Sequence, residues 1–183
     1  MKKIFLSIIS IGIILLSTSG CDSVLNTPTK RVEEFLNDYQ TTNNTVLTQL
    51  DNTLENDANL NENQKKEYRD IMKKQYENLV YVIKDETVNG DKSTVKVEIE
   101  VYDYNKAIKE ADSYVTLNQA EFLDEEGAVD DSKFTDYKLK RMDEVTERVK
   151  YTIDFKLTKE EKSWKLDDIT EIDRQKIHGI YSY

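Results

Sequence analysis

Between residues 95 and 101 the chain alternates strictly, with Val95, Val97, Ile99 and Val101 on one side and Lys96, Glu98 and Glu100 on the other. Period-two alternation of this kind makes a strand with one apolar and one charged face. Upstream, Asn89-Gly90 supplies the left-handed backbone a tight reversal needs, so residues 79–104 read as a β-hairpin turning at that pair. Two strands alone are marginal in water, and an apolar face this regular must be covered. The rest of the chain therefore has to extend this hairpin and pack against it. In its first strand parity puts Leu79, Tyr81, Ile83 and Asp85 on one face and Val80, Val82 and Val88 on the other, with either face able to point inward.

A second run repeats the pattern: Val149, Tyr151, Ile153, Phe155 and Leu157 alternate with Lys150, Thr152, Asp154 and Lys156. A reversal over residues 159–162 leads to a partner strand at 163–169, where Trp164, Leu166 and Asp168 share a face. Helical spacing occupies the remainder. Val32, Phe35, Leu36 and Tyr39 form one stripe, capped by Thr27 or Thr29 with Pro28 in the first turn; Val46, Leu47, Leu50 and Leu54 form a second. A third helix begins at Asn61, whose spacing to Gln64 is that of a capping box, and turns Tyr68, Ile71, Met72, Gln75, Tyr76 and Leu79 inward. Two more helices, one carrying Ile108, Ala111 and Val115 and the other Phe134, Tyr137, Met142 and Val145, fill residues 105–146, broken at Gly127. A short helix with Ile177 and His178 closes the chain over 173–183. Helices first, then two hairpins bracketing more helix, give an α+β domain over residues 30–183: an antiparallel sheet packed against helices. Its length of 183 residues suits one such domain.

Charge and composition exclude several functions. A net charge of -10, with no stripe of Lys and Arg interleaved with aromatics, argues against nucleic acid as a partner. One Cys and one His allow neither an internal disulfide nor a Cys/His metal cluster, and no cofactor motif is present. The acidic run at 124–131, DEEGAVDD, lacks the ligand alternation of a calcium loop and reads as a solvated turn.

At the amino terminus Lys2 and Lys3 precede an apolar run from Ile4 to Leu16, followed by the small residues Ser17-Thr18-Ser19-Gly20 and then Cys21. These are the regions of a secretory signal peptide, and the apolar run falls short of the ~20 residues of a spanning helix. The placing of Cys21 directly after Ser19-Gly20 resembles the lipobox of bacterial lipoproteins, with Thr18 standing where an aliphatic residue is usual. That resemblance implies removal of residues 1–20, transfer of diacylglycerol to the Cys21 thiol, and a polar tether over 21–29. Two or more acyl chains make a stable anchor, since each buried CH₂ yields ~0.8 kcal/mol. The expected location is the outer surface of the cell membrane, held by lipid.

The stretches TPTKRVEEFLNDY, NGDKSTVKVEIEVYDY and SWKLDDI resemble small Gram-positive lipoproteins of the nuclear transport factor two superfamily, also described as cystatin-like. The resemblance implies a cone-shaped α+β domain whose curved antiparallel sheet wraps helices, with a pocket at the open end. Some members of that superfamily are isomerases or dehydratases, and others only bind or dimerise; fold does not choose between these.

For an enzyme, the residues to carry it are Asp85 or Asp168 as a general base raised by burial, with Tyr151 as hydrogen-bond donor. Against this, both acids sit at strand ends, where a face leaves the core and meets water. His178 is the sole imidazole, and no Ser or Cys nucleophile stands in an elbow. The leading expectation is a non-enzymatic, membrane-anchored domain that binds a small ligand or an envelope protein. An isomerase-like enzyme and a self-associating structural lipoprotein, homodimeric through exposed sheet faces, are the alternatives.

Overall fold

The computed structural model describes residues 26–182, so Cys21 and the leader lie outside the described residues. Helices α1 (Pro28–Gln40), α2 (Asn44–Glu55) and α3 (Glu62–Glu77) come first, followed by strands β1 (Val80–Asn89) and β2 (Lys92–Tyr102). Helix α4 (Tyr104–Leu117), a 3-10 turn at Gln119–Phe122 and α5 (Asp131–Asp143) make the middle excursion. Strands β3 (Arg148–Glu160) and β4 (Ser163–Leu166) and helix α6 (Glu171–His178) complete the α+β domain. The sheet is an open antiparallel meander, β1-β2-β3-β4. Although α4 and α5 intervene, β2 and β3 are direct neighbours in continuous register from Lys92↔Thr158 to Tyr102↔Arg148. Their matching alternation explains this: Val95, Val97, Ile99 and Val101 stand opposite Phe155, Ile153, Tyr151 and Val149, making one apolar face from two strands.

Helix α1 covers that face. Thr27 caps it by accepting from the Lys30 amide, and Val32, Leu36 and Tyr39 are buried, with the Phe35 ring edge-on to Phe155 at 5.7 Å between centroids. Helix α3 has the expected Asn61–Gln64 capping box and packs behind α1 through Ile71, Met72 and Tyr76. Gln75, wholly buried, ties three elements together. Its side-chain amide donates to the carbonyls of Tyr102 and His178 at 3.0 and 2.9 Å, and its oxygen accepts from the Tyr102 amide at 2.9 Å. The opposite sheet face is charged: Lys84 and Lys150 pair with Glu98 at 3.2 and 3.5 Å, and Arg148 with Glu100 at 3.1 Å.

Three local details depart from the sequence expectation. The first hairpin turns one residue later than Asn89-Gly90, because Asn89 pairs with Lys92 and leaves Gly90-Asp91 as the two-residue loop. Gly90 alone has positive φ there, +60°, the pattern of a turn with Gly at its first central position. The strand expected over 163–169 ends at Leu166, and the terminal helix spans Glu171–His178, stopped by Gly179 in the left-handed conformation. Third, β1 carries a bulge at Lys84, between the pairs Ile83↔Val97 and Asp85↔Lys96. The extra residue reverses parity beyond it, so Asp85 joins the charged outer face opposite Lys96 while Glu86 and Val88 move to the inner side.

That reversal has a use. Glu86 reaches the start of α1, where its Oε2 accepts from the Thr29 amide at 3.0 Å and the Thr29 hydroxyl at 2.6 Å. A carboxylate on an open helix N-terminus satisfies a free amide and opposes the positive end of the helix dipole. Glu86→Ala should therefore lower stability by about 1 kcal/mol. Urea denaturation measures it, and an unchanged midpoint would refute the cap.

Candidate functional site

At the end of the domain away from the two hairpin turns, α1, α2, α3 and α6 leave a cleft of about 630 Å³. Its position follows from α1, which starts beside Glu86 and ends with Gln40 donating to the Leu79 carbonyl at 2.8 Å, a full sheet length away. Tyr39 reaches the cleft from the last turn of α1, Tyr68 and Tyr76 from α3, and Arg174 and His178 from α6; Val46 and Leu50 of α2 form the apolar wall.

Tyr39 is 4% exposed, with its ring edge-on to Tyr76 at 5.0 Å. Its hydroxyl has no hydrogen-bond partner among the described residues, and it opens on the cleft. No polar side-chain atom among the described residues is both buried and unpaired, so the Tyr39 ring is packed while its hydroxyl meets solvent at the cleft wall. Tyr68, half-buried, also offers an unpaired hydroxyl. The Tyr76 hydroxyl and His178 Nε2 share a hydrogen bond at 3.0 Å.

Burial sets the protonation of these groups. It pushes Tyr39, Tyr68 and Tyr76 above the usual phenol range, with the Arg174 charge pulling Tyr39 and Tyr76 back slightly. The three phenols are neutral hydrogen-bond donors near neutral pH. Burial, helped by Arg174, holds His178 down to about 4, so its imidazole is neutral too and adds no cationic charge. Among the described residues Arg174 is the one cation lining the cleft. Its Nε lies 3.6 Å from Glu171 Oε2, a loose pair on the helix surface that leaves the outer guanidinium N–H groups unpaired among the described residues.

The residues singled out from the sequence are not brought together. Asp85 is exposed on the charged sheet face, and Asp168 is exposed in the segment between β4 and α6. Tyr151 is buried on the inner sheet face, donating to the Tyr181 carbonyl at 3.3 Å. None of the three lines the cleft. A smaller cavity of about 150 Å³ lies between α4 and α5, but its charges serve one another: Lys106 pairs with Glu147 and Glu110, and Arg141 with Glu110 and Glu144. Among the described residues there is no group of three metal-ligating side chains, and no helix is long and apolar enough to cross a membrane.

Helical spacing puts Tyr39, Tyr68 and Tyr76 on apolar stripes and His178 on the terminal helix, with nothing in the sequence to bring them together. The signal that marks them is a tyrosine where phenylalanine would pack equally well, repeated on two helices. No protein-family model, curated protein or solved structure matches the chain.

Proposed function

We propose that this chain is a lipid-anchored extracytoplasmic lipoprotein whose α+β domain binds a ligand in the tyrosine cleft without transforming it. The observation that carries this reading is the Tyr39 hydroxyl, which a buried side chain presents, unpaired among the described residues, at the wall of a cleft in the size range of small-molecule sites. Such a group is satisfied when a ligand or water accepts from it.

The anchor enters from the lipobox-like position of Cys21. Asn26 is docked on the β3–β4 turn, accepting from the Trp164 amide at 3.0 Å and donating to the Lys162 carbonyl at 3.2 Å. Five residues reach at most ~18 Å, so acylation at Cys21 would hold the hairpin end near the bilayer. The cleft, beyond the 13 residues of α1, would stand ~20 Å further out. An α+β body with helices on one face of an open sheet also agrees with the resemblance to nuclear transport factor two-like lipoproteins.

Binding is favoured over catalysis because the cleft's imidazole is paired with a phenol rather than a carboxylate, and its one carboxylate, Glu171, is exposed. Self-association through the outer sheet would have to strip water from the Lys84, Lys150 and Arg148 ion pairs, a cost that their mutual attraction does not readily repay.

Hydrogen exchange of the full lipidated chain, with and without low-molecular-weight envelope extract, tests the reading. The expected result is slowed exchange in α2 and α6, the walls of the cleft. No slowing, or slowing confined to β2 and β3, would overturn it.

A further inference from the structure

Gln49, Asn52 and Thr53 of the cleft lining both donate and accept, so the charge of a ligand is selected by Arg174, the one cation of the lining among the described residues. The unpaired hydroxyls of Tyr39 and Tyr68 and the outer N–H groups of Arg174 all belong to its lining, beside the apolar side chains of Val46, Leu50 and Ile180. A planar guanidinium fork with a neutral hydroxyl donor nearby matches an oxyanion, which accepts only, and it is Tyr39 that feels the Arg174 charge, whereas Tyr68 feels the Asp57 carboxylate. We infer that the cleft takes a monocarboxylate with an apolar body, its carboxylate on Arg174 and the Tyr39 hydroxyl and its body against Val46, Leu50 and Ile180. This rests on the binding reading above and names the ligand class for it.

Charge selects carboxylate over a dianionic phosphate. Among the described residues Arg174 is the single cation of the lining, and Glu171 stands 3.6 Å from its Nε, so a second negative charge would face repulsion that no other described lining residue offsets. The chain as a whole, at -10, adds to that penalty. His178 supplies no positive charge, because its ring is already engaged by Tyr76 and enclosed. A neutral ligand, conversely, would leave the guanidinium fork unused. The carboxylate could belong to a free acid or to the carboxyl terminus of a peptide ending in an apolar residue, and the two present the same chemistry.

Isothermal titration of the full chain with 4-phenylbutyrate and with its amide is the test, followed in parallel through the imidazole NMR signals of the only histidine. A short peptide ending in leucine, with free or amidated carboxyl terminus, distinguishes the second source. The free acid of at least one pair should bind at least tenfold more tightly than its amide and shift the His178 signals. Arg174→Gln should erase that preference, Tyr39→Phe should weaken the acid several-fold with an unchanged unfolding midpoint, and Glu171→Gln should strengthen it. Equal affinity for acid and amide, an unaltered preference in Arg174→Gln, or no binding of either acid overturns the assignment. Protection of α2 and α6 by envelope extract would then still decide the broader binding reading on its own.

Discussion

Gly179→Ala should cost more stability than any other single-methyl addition in the domain, at least ~3 kcal/mol, and unfold a large fraction of the protein at physiological temperature. Gly179 ends α6 at φ +72°, and a Cβ built there would lie closer than 3.0 Å to both the Gln75 Nε2 and the Tyr102 carbonyl oxygen. Neither can withdraw cheaply. The Tyr102 carbonyl belongs to the last residue of β2, and Gln75 already bridges that carbonyl and the His178 carbonyl. Moving Gln75 aside would strand buried polar groups, each at ~1–3 kcal/mol. Gly90→Ala is the control: its φ is +60°, yet nothing lies within 4 Å of the added methyl, so only the backbone penalty of about 1 kcal/mol applies. Thermal and urea unfolding of the two variants separate steric from conformational cost. Similar losses in both would refute the close-packed junction. Because α6 carries Arg174 and His178, Gly179→Ala should also abolish ligand protection in the cleft before the sheet itself melts.

The contrast between those glycines shows what the sequence can and cannot convey. Gly90 lies between two alternating runs, and the local pattern finds its turn to within one residue. The one-residue difference arises because a hairpin's register is settled by cross-strand pairing, here Asn89 with Lys92, and not by the dipeptide alone. The β2 and β3 faces were legible because each turns one side into the core along most of its length. The bulge at Lys84 was not. No Gly or Pro marks it, and what it brings about is long-range: Glu86 meets the α1 terminus and Asp85 is carried to the outer face.

The cleft was illegible for a related reason. Its walls come from four helices spread over residues 39 to 180, and each contributor reads locally as an ordinary stripe residue. Only assembly reveals that the Tyr39 and Tyr68 hydroxyls lack partners while the Tyr76 hydroxyl has one. Asp85, Tyr151 and Asp168, chosen because strand parity set acids and a phenol beside apolar residues, were judged on faces that end or invert where those acids stand. Cys21, by contrast, is proposed from five consecutive residues and needs no tertiary information.

His178 sets the second large effect, a fall in stability of about 3 kcal/mol on acidification from pH 6.5 to pH 4. The folded-state pKa, about 4, lies below the ordinary 6.5 because burial opposes the charged ring and Arg174 repels it. Over that interval the unfolded chain binds a proton that the folded chain refuses, so protonation draws the equilibrium toward unfolding. Stability from this group is complete above pH 6.5, declines through the interval and levels off below the folded pKa. Acidic side chains such as Glu98, whose pKa the Lys84 hydrogen bond lowers, push in the same direction at the acid end. The histidine's share is therefore read as a difference. His178→Gln, which retains an acceptor for the Tyr76 hydroxyl, should show a flatter decline between pH 6.5 and pH 5, where few carboxylates titrate. NMR titration of the single imidazole in the folded protein gives the direct measurement. A midpoint near 6.5, or parallel pH profiles for the two proteins, would mean that the ring is open to water and that its burial against Tyr76 does not hold the proton off.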